Sequence, residues 1–185
     1  AAEVSLSRCR RHPRDVRPGD LFVVLHPPGA RRDAALQQAL IRGCAAVLAD
    51  HPLESLPVPV IYVSNAREAF GRISHALADY PARKLHVIGV TGAHGKTTTA
   101  CLLTRVLVEA GFNTGMLTTL GYFEGEESTF PRETTPPADE LALSLARMVE
   151  NHCTHAVIEV TGKAIRERYL AGMELDVAVL VNTDA

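Results

Sequence analysis

Apolar positions follow two periods along this chain. From Leu21 onward, short runs rich in β-branched residues (LFVVL, AAVLAD, VPVIYVS) are separated by longer stretches with apolar residues three and four apart (DAALQQALIRG, AREAFGRISHALADY). That alternation predicts an α/β fold. The first helix begins near Asp33, carries Ala35, Leu36, Ala39 and Leu40 on one face, and stops at Gly43, a C-cap glycine. The second runs from Ala66 to about Tyr80 with Phe70, Ile73 and Leu77 at helical spacing, and Pro81 terminates it.

After a short charged connection at 81–84 a second series begins. HVIGV, HAVIEV and VAVLV are continuous apolar runs, the pattern of strands buried on both faces of a mostly parallel sheet, so helices are expected on both sides. The covering helices are read over 96–110 and 138–151, with a short one after 160. Between them, Gly121 to Pro137 has no period and reads as one long loop, a length usually kept for function. The expected division is a small N-terminal α/β domain, 1–83, and a second, phosphate-loop domain, 84–185, with a mostly parallel sheet, the domain being incomplete at its C-terminus. There are no internal repeats or low-complexity tracts.

Composition narrows the function classes. Hydrophobic residues are 46% and charged residues 22% of 185, enough apolar surface for a full core and incompatible with a disordered chain. A net charge of -2 argues against a nucleic-acid binder working by broad phosphate neutralisation. No apolar run has the length of a membrane span, and the N-terminus lacks the apolar core of a secretory signal, so a cytoplasmic protein without a membrane span is expected. Cys9, Cys44, Cys101 and Cys153 are too scattered for a zinc or redox motif, and free thiols are expected. The chain starts with Ala and stops just after an apolar strand, so it is expected to be a piece of a longer protein.

The segment VIGVTGAHGKTTTACLLTRVL carries the most chemistry: a buried strand, a glycine-bearing turn, then an apolar-periodic helix. Gly92 and Gly95 let the backbone turn successive amides towards one point, and the helix start adds its partial positive charge, which makes an anion site. Lys96 supplies a point charge for β- and γ-phosphates, and the Thr97 hydroxyl is placed to ligate Mg²⁺. The expected nucleotide contacts are Gly92, Ala93, His94, Gly95, Lys96, Thr97 and Thr98. The strict GxxxxGK[ST] pattern is not met, because Val90 stands where the first glycine belongs and Gly89 lies one residue earlier. His94 reads as a solvated loop donor in preference to an acid or base.

TGAHGKTTT resembles the phosphate loop of the Mur ligases, in the branch of the UDP-N-acetylmuramyl-tripeptide synthetases, whose usual form is TGTNGKTTT. DVRPGDLFVV is similar to the start of that family's N-terminal domain, GMLTTLGY and ETTPP to its strand and TTP motif, and HAVIEVTGKAI through VAVLVN to its EVSSHAL…VFTN stretch. The resemblance covers nearly the whole chain, in family order. It implies an ATP-dependent ligase in peptidoglycan synthesis: the γ-phosphoryl of ATP passes to a carboxylate of a UDP-N-acetylmuramyl-peptide-like precursor, and an amino acid attacks the acyl phosphate to give an amide. ATP and Mg²⁺ are the implied cofactors, those small molecules the implied partners, and a monomer is expected.

Glu159, at the end of HAVIEV, should emerge where the phosphate loop opens. Alone it reads as a solvated strand-end acid; with the loop and the resemblance it becomes a Mg²⁺ ligand beside Thr97, and Lys96 and Glu159 are the expected catalytic pair. Thr134 and Thr135 read either as N-caps of the following helix or, as the resemblance implies, as substrate-holding hydroxyls. Thr161, Arg14 and Arg168 are further substrate candidates, and Thr118 and Thr119 weaker ones.

This sequence departs from the family where substrate is held. Thr161, Gly162 and Lys163 stand for Ser-Ser-His, Tyr169 occupies the family arginine's place beside Arg168, and His12, Pro13 and Arg14 stand for Asp-Ser-Arg. Lys163 could replace the lost basic group or face solvent. A divergent nucleotide- or precursor-binding module without ligase activity is therefore the alternative, and a plain P-loop kinase or ATPase ranks last. Family members also carry a carbamylated lysine, a metal-binding histidine after the Asn-containing strand and a C-terminal domain that binds the incoming amino acid. None is found in these 185 residues, which alone are expected to bind nucleotide and not to ligate.

Overall fold

A computed structural model describes residues 6, 8–126 and 128–183. The architecture is α/β, as expected, in two compact units, Ala1–Ile73 and Ser74–Ala185.

The first unit holds a parallel sheet of β1 (Cys9–Arg10), β2 (Leu21–Val23), β3 (Ala46–Ala49) and β4 (Val60–Tyr62), in that order. Helix α1 (Ala30–Ile41) packs Leu36 and Ala39 into a core with Phe22, Val24, Val47 and Ala49. The helix begins three residues before the expected Asp33, since the chain turns at Gly29 and nothing in Ala30–Arg31–Arg32 resists helical φ/ψ. Helix α2 (Ala66–Leu77) starts where the Asp50 carboxylate accepts the Ala66 amide at 2.9 Å. It ends before Tyr80, because Asp79 and Tyr80 take left-handed φ of 59° and 47° and the Tyr80 amide closes on the His75 carbonyl at 2.8 Å. Leu77, expected on the apolar stripe, is exposed.

The second unit holds six strands, β5 (His86–Thr91), β6 (Thr114–Thr118), β7 (Gly121–Phe123), β8 (Ser128–Thr129), β9 (His155–Glu159) and β10 (Val177–Leu180), in the order β10-β5-β9-β6-β7-β8. The four strands β10, β5, β9 and β6 are parallel, and β7 and β8 add antiparallel at one edge. Helix α4 (Ala138–Glu150) covers one face with Leu141, Leu145 and Met148 against Val87, Leu117, Ala156 and Ile158. Helix α3 (Lys96–Glu109) covers the other with Ala100, Leu103 and Leu107 against Ile88, Val90 and Val157. Successive residues of β9 thus feed opposite cores, which is why the run reads as continuously apolar. A short helix α5 (Gly162–Arg166) follows β9.

Two expectations are corrected. The stretch from Gly121 to Pro137 contains β7 and β8, too short to show a period; they are anchored by side chains, with Arg147 on the Glu124 carboxylate, Asn151 Nδ2 donating to the Glu124 carbonyl at 2.8 Å and the Tyr122 hydroxyl donating to the Glu133 carbonyl. And VAVLV is not buried on both faces: β10 is an edge strand among the described residues, with Val177 and Leu180 exposed.

Candidate functional site

The site is built where parallel strands end together. Val90 of β5 lies opposite Glu159 of β9, Leu180 of β10 opposite Thr91, and Leu117 of β6 opposite Ile158, so the carboxyl ends of four strands share one edge. The loop 92–95 leaves β5 there and enters α3. Gly92 and Gly95 have φ of +146° and +79°, which side-chain-bearing residues rarely adopt. A Cβ on Gly92 would also lie 3.1 Å from both the backbone N and O of Asn182. Gly89, one residue out of place for the usual motif, sits inside β5, where a Cβ would meet Leu175 Cδ1 at 2.6 Å; it is a packing glycine, not a loop glycine.

Lys96 folds its ammonium back over the loop, donating to the Gly92 carbonyl at 2.9 Å and the Ala93 carbonyl at 3.0 Å. The first bond of the α3 ladder runs from the Thr99 amide to the Gly95 carbonyl at 2.9 Å. The amides of Lys96, Thr97 and Thr98 are therefore left over by helix geometry at the positive end of the helix dipole.

Glu159 is 3% exposed. One of its oxygens, Oε2, accepts from Thr97 Oγ1 at 2.9 Å and from the amide and hydroxyl of Thr119, each at 3.2 Å. No lysine, arginine or histidine pairs with it among the described residues. A buried carboxylate satisfied only by neutral donors is electrostatically poised for a cation. The described residues contain no cluster of three or more His, Cys, Asp or Glu side chains that could hold a metal by itself. A carboxylate and a hydroxyl at one point do suit a hard cation such as Mg²⁺, which completes its shell with water and phosphate oxygens.

The candidate threonines gather at the same place. Thr134 Oγ1 meets Thr119 Oγ1 at 3.1 Å, and Thr135 Oγ1 donates to the Glu159 carbonyl at 2.7 Å while accepting the Thr161 amide at 3.0 Å. Neither is the N-cap of α4: Pro137 holds that position, and Thr135 is spent on β9. Thr161 instead caps α5, accepting the Ala164 amide at 3.2 Å. Thr98 is exposed on the first turn of α3. Arg168 is exposed beyond α5 with a φ of 58°, and Arg14 lies on the 3-10 turn Pro13–Asp15 of the first unit. Lys163 donates to Glu133 Oε2 at 2.6 Å, a bond that raises its pKa, and Tyr169 Oη reaches the same oxygen at 3.5 Å.

Two residues carry more of this geometry than the sequence suggests. Thr119, a strand-end hydroxyl, links Glu159 to Thr134. Asn182, just past β10, binds the loop itself: its Oδ1 accepts the Ala93 and His94 amides, each at 3.0 Å, and its Nδ2 donates to the His94 carbonyl at 3.0 Å. The available signal is an amide side chain two residues beyond a strand that pairs with the strand feeding the loop.

Residues 90–185 match the family described as Mur ligase middle domain. The chain is 39% identical over 175 residues to a UDP-N-acetylmuramyl-tripeptide synthetase of Roseiflexus sp. (strain RS-1), covering 91% of this chain and 34% of that protein. It is 39% identical over 173 residues to a UDP-N-acetylmuramoyl-L-alanyl-D-glutamate--2,6-diaminopimelate ligase of Gloeobacter violaceus (strain ATCC 29082 / PCC 7421), covering 91% of this chain and 35% of that protein. The chain thus spans about a third of the length of these relatives. In fold it is similar to a solved UDP-N-acetylmuramoyl-L-alanyl-D-glutamate--2,6-diaminopimelate ligase, with a TM-score of 0.80 at 21% identity over 97% of this chain and 37% of that one. It is also similar to a MurF ligase from Thermotoga maritima solved in complex with ADP, with a TM-score of 0.56 at 21% identity over 98% and 39%.

Proposed function

From the premise that this chain belongs to the Mur ligase family, we propose that it serves an ATP-dependent carboxylate–amine ligation that adds an amino acid to a UDP-N-acetylmuramyl-peptide-like precursor in peptidoglycan synthesis. The observation that carries the reading is the convergence of Glu159 and Thr97, 2.9 Å apart, beside a glycine loop with a lysine folded over it. Lys96 and the amides opening α3 take the β- and γ-phosphates, and Gly92, Ala93, His94, Gly95, Thr97 and Thr98 form the cradle. Thr97 and Glu159 hold Mg²⁺, which supplies charge neutralisation for the triphosphate.

Two anions, a triphosphate and a carboxylate, must approach in line. This chain's part is to fix that approach: Lys96 releases the loop carbonyls for phosphate oxygens, while Thr134 and Thr161 offer hydroxyls to the acceptor carboxylate and Thr135, its own hydroxyl engaged at the end of β9, holds that edge in place. Arg168 contributes charge to precursor binding in the second unit, and Arg14 is a separate candidate on the first. No covalent enzyme nucleophile is required. The 185 residues bind nucleotide and do not ligate alone, acting as a monomer in the cytoplasm where ATP is available.

One observation favours a second reading, a precursor- or nucleotide-binding module without ligase activity: Lys163 is tied to Glu133, and Tyr169 stands where the family has arginine. Titration with MgATP tests the main reading. Binding that disappears on Lys96→Met and weakens when Mg²⁺ is withheld supports it; an unbound protein, or an indifferent Lys96→Met variant, sinks it. Turnover that needs both a carboxylate and an amine, measured in a chain extending past Ala185, separates ligase from module.

A further inference from the structure

The phosphate loop leaves β5 beside the end of β10 and packs against it at three places. The Val181 amide donates to the Thr91 carbonyl at 2.9 Å, continuing the ladder one residue past β10. Gly92 then approaches the Asn182 backbone so closely that a Cβ would lie 3.1 Å from its N and O, and a Cβ on Gly95 would lie 3.4 Å from Val181 Cγ1. Finally the Asn182 carboxamide makes three bonds to the loop, taking the Ala93 and His94 amides on Oδ1 and giving Nδ2 to the His94 carbonyl, all at 3.0 Å.

A carboxamide that accepts the amides of two successive residues and donates to the carbonyl of the second fixes the consecutive peptide units on either side of His94. Loop amides in such turns are otherwise free to rotate, and each rotation misdirects the amides that follow. The amides of Ala93 and His94 are already engaged, so they are not the phosphate donors in this conformation. Those left over are the ones opening α3, and their direction is set by the peptide units just before them. The same clamp holds the Ala93 carbonyl where Lys96 Nζ reaches it at 3.0 Å.

We infer that Asn182 is a positioning residue for nucleotide binding, a latch that locks residues 93 and 94 so that the amides of Lys96, Thr97 and Thr98 and the Lys96 ammonium are pre-aimed at phosphate. The inference rests on the nucleotide reading above for its consequence, but the latch itself can be measured without nucleotide. It acts through the loop and touches no reacting atom.

The test uses the 185-residue chain, amide exchange resolved by NMR, and MgATP titration. In Asn182→Ala, exchange at Ala93 and His94 rises about tenfold, as expected for losing one ordinary hydrogen bond, and MgATP affinity falls about tenfold. Amides of Ala156 and Val157 in β9 stay protected. Asn182→Asp keeps an oxygen for both amides but loses the donor and adds a negative charge. Its Ala93 and His94 amides stay within about twofold of the original rate, while MgATP binding falls and partly recovers with salt. Unchanged exchange at 93 and 94 in Asn182→Ala overturns the latch. Raised exchange with undiminished MgATP affinity overturns the positioning role. If Asn182→Ala loses β9 protection as well, Asn182→Asp decides alone: protected 93 and 94 amides support the latch and exposed ones overturn it. Should the original chain fail to bind MgATP, the function proposed above falls, and the exchange data still judge the latch.

Discussion

Glu159→Gln separates a metal-binding role from a structural one, because the two predict opposite outcomes. The wild-type carboxylate is 3% exposed and directs Oε2 at three donors: the Thr97 hydroxyl, the Thr119 hydroxyl and the Thr119 amide. A glutamine carbonyl can accept the same three. It forfeits charge assistance, on the order of 1 kcal/mol per bond, roughly 3 kcal/mol in all. Against that stands the desolvation of a carboxylate with no cation among the described residues, which costs several kcal/mol in real proteins. The two nearly cancel, so Glu159→Gln should unfold within about 1 kcal/mol of the original chain. Metal-assisted binding should suffer instead: affinity for MgATP should drop at least about tenfold, and affinity for ATP without Mg²⁺ should change little, the size seen when a metal-ligating group is disturbed. Glu159→Ala is the contrasting variant. It leaves both hydroxyls and the Thr119 amide without their acceptor and should cost about 2–4 kcal/mol. Urea unfolding paired with calorimetric titration, with and without Mg²⁺, reads both quantities. A Glu159→Gln variant that loses more than about 3 kcal/mol yet binds MgATP normally would show that this carboxylate merely ties β6 to α3, and the metal reasoning would be wrong.

Other consequences are checked more simply. Gly92→Ala should lose about 1–3 kcal/mol and its nucleotide affinity together, because the new methyl meets the Asn182 backbone at 3.1 Å at a φ of +146°; a denaturation midpoint equal to the original's would contradict this. Met148→Ala, fully buried between α4 and the sheet, should cost about 2–5 kcal/mol while sparing MgATP affinity in the folded fraction. His75 is fully buried, neither ring nitrogen has a hydrogen-bond partner among the described residues, and burial lowers its pKa from 6.5 to about 4. Its neutral form is the one the fold accepts. Stability is therefore complete above about pH 6.5 and declines as pH falls towards 4, by up to about 3 kcal/mol. Unfolding midpoints from pH 7 to 4 should show a shallower acid decline in His75→Leu than in the original, and parallel curves would exclude His75 as the cause.

How much could be read in advance depended on whether the signal was local. The strands at 86–91 and 155–159 announced themselves because both faces of each are covered, by α3 and α4, and a run of apolar residues is the direct trace of that burial. The glycine turn at 92–95 between β5 and α3 was equally legible, since its turn and its helix start are consecutive residues. By contrast β7 and β8 span three and two residues, and what holds them is Arg147, Asn151 and the Glu133 carbonyl, 20 or so positions away or across a bend; no window on the sequence contains that. The default N-cap reading for Thr134 and Thr135 failed similarly: the Thr135 hydroxyl finds the end of β9 before it can find α4, which begins behind two prolines. Asn182 lies 88 positions from His94, and only the parallel register of β10 on β5 brings them together.

The same edge also keeps its opposite charges apart. Lys96 and Glu159 carry opposite charge within one small site, yet neither neutralises the other. Lys96 rests on the Gly92 and Ala93 carbonyls, and Glu159 rests on Thr97 and Thr119. A direct ion pair between them would quench both and would have to be broken, at several kcal/mol for a buried partner, before a metal–phosphate group could enter. Parking each on neutral dipoles costs less to undo. The arrangement follows from parity along two elements: Glu159 shares its face of β9 with Val157, towards α3, while Lys96 stands one residue before Thr97, so its side chain leaves the helix in a different direction from the hydroxyl that reaches Glu159. Moving the lysine by one position would trade the loop carbonyls for the carboxylate. A chain with the order of Lys96 and Thr97 exchanged should therefore fold with comparable stability but lose MgATP affinity, and retained affinity in that variant would show that charge separation is incidental to the site.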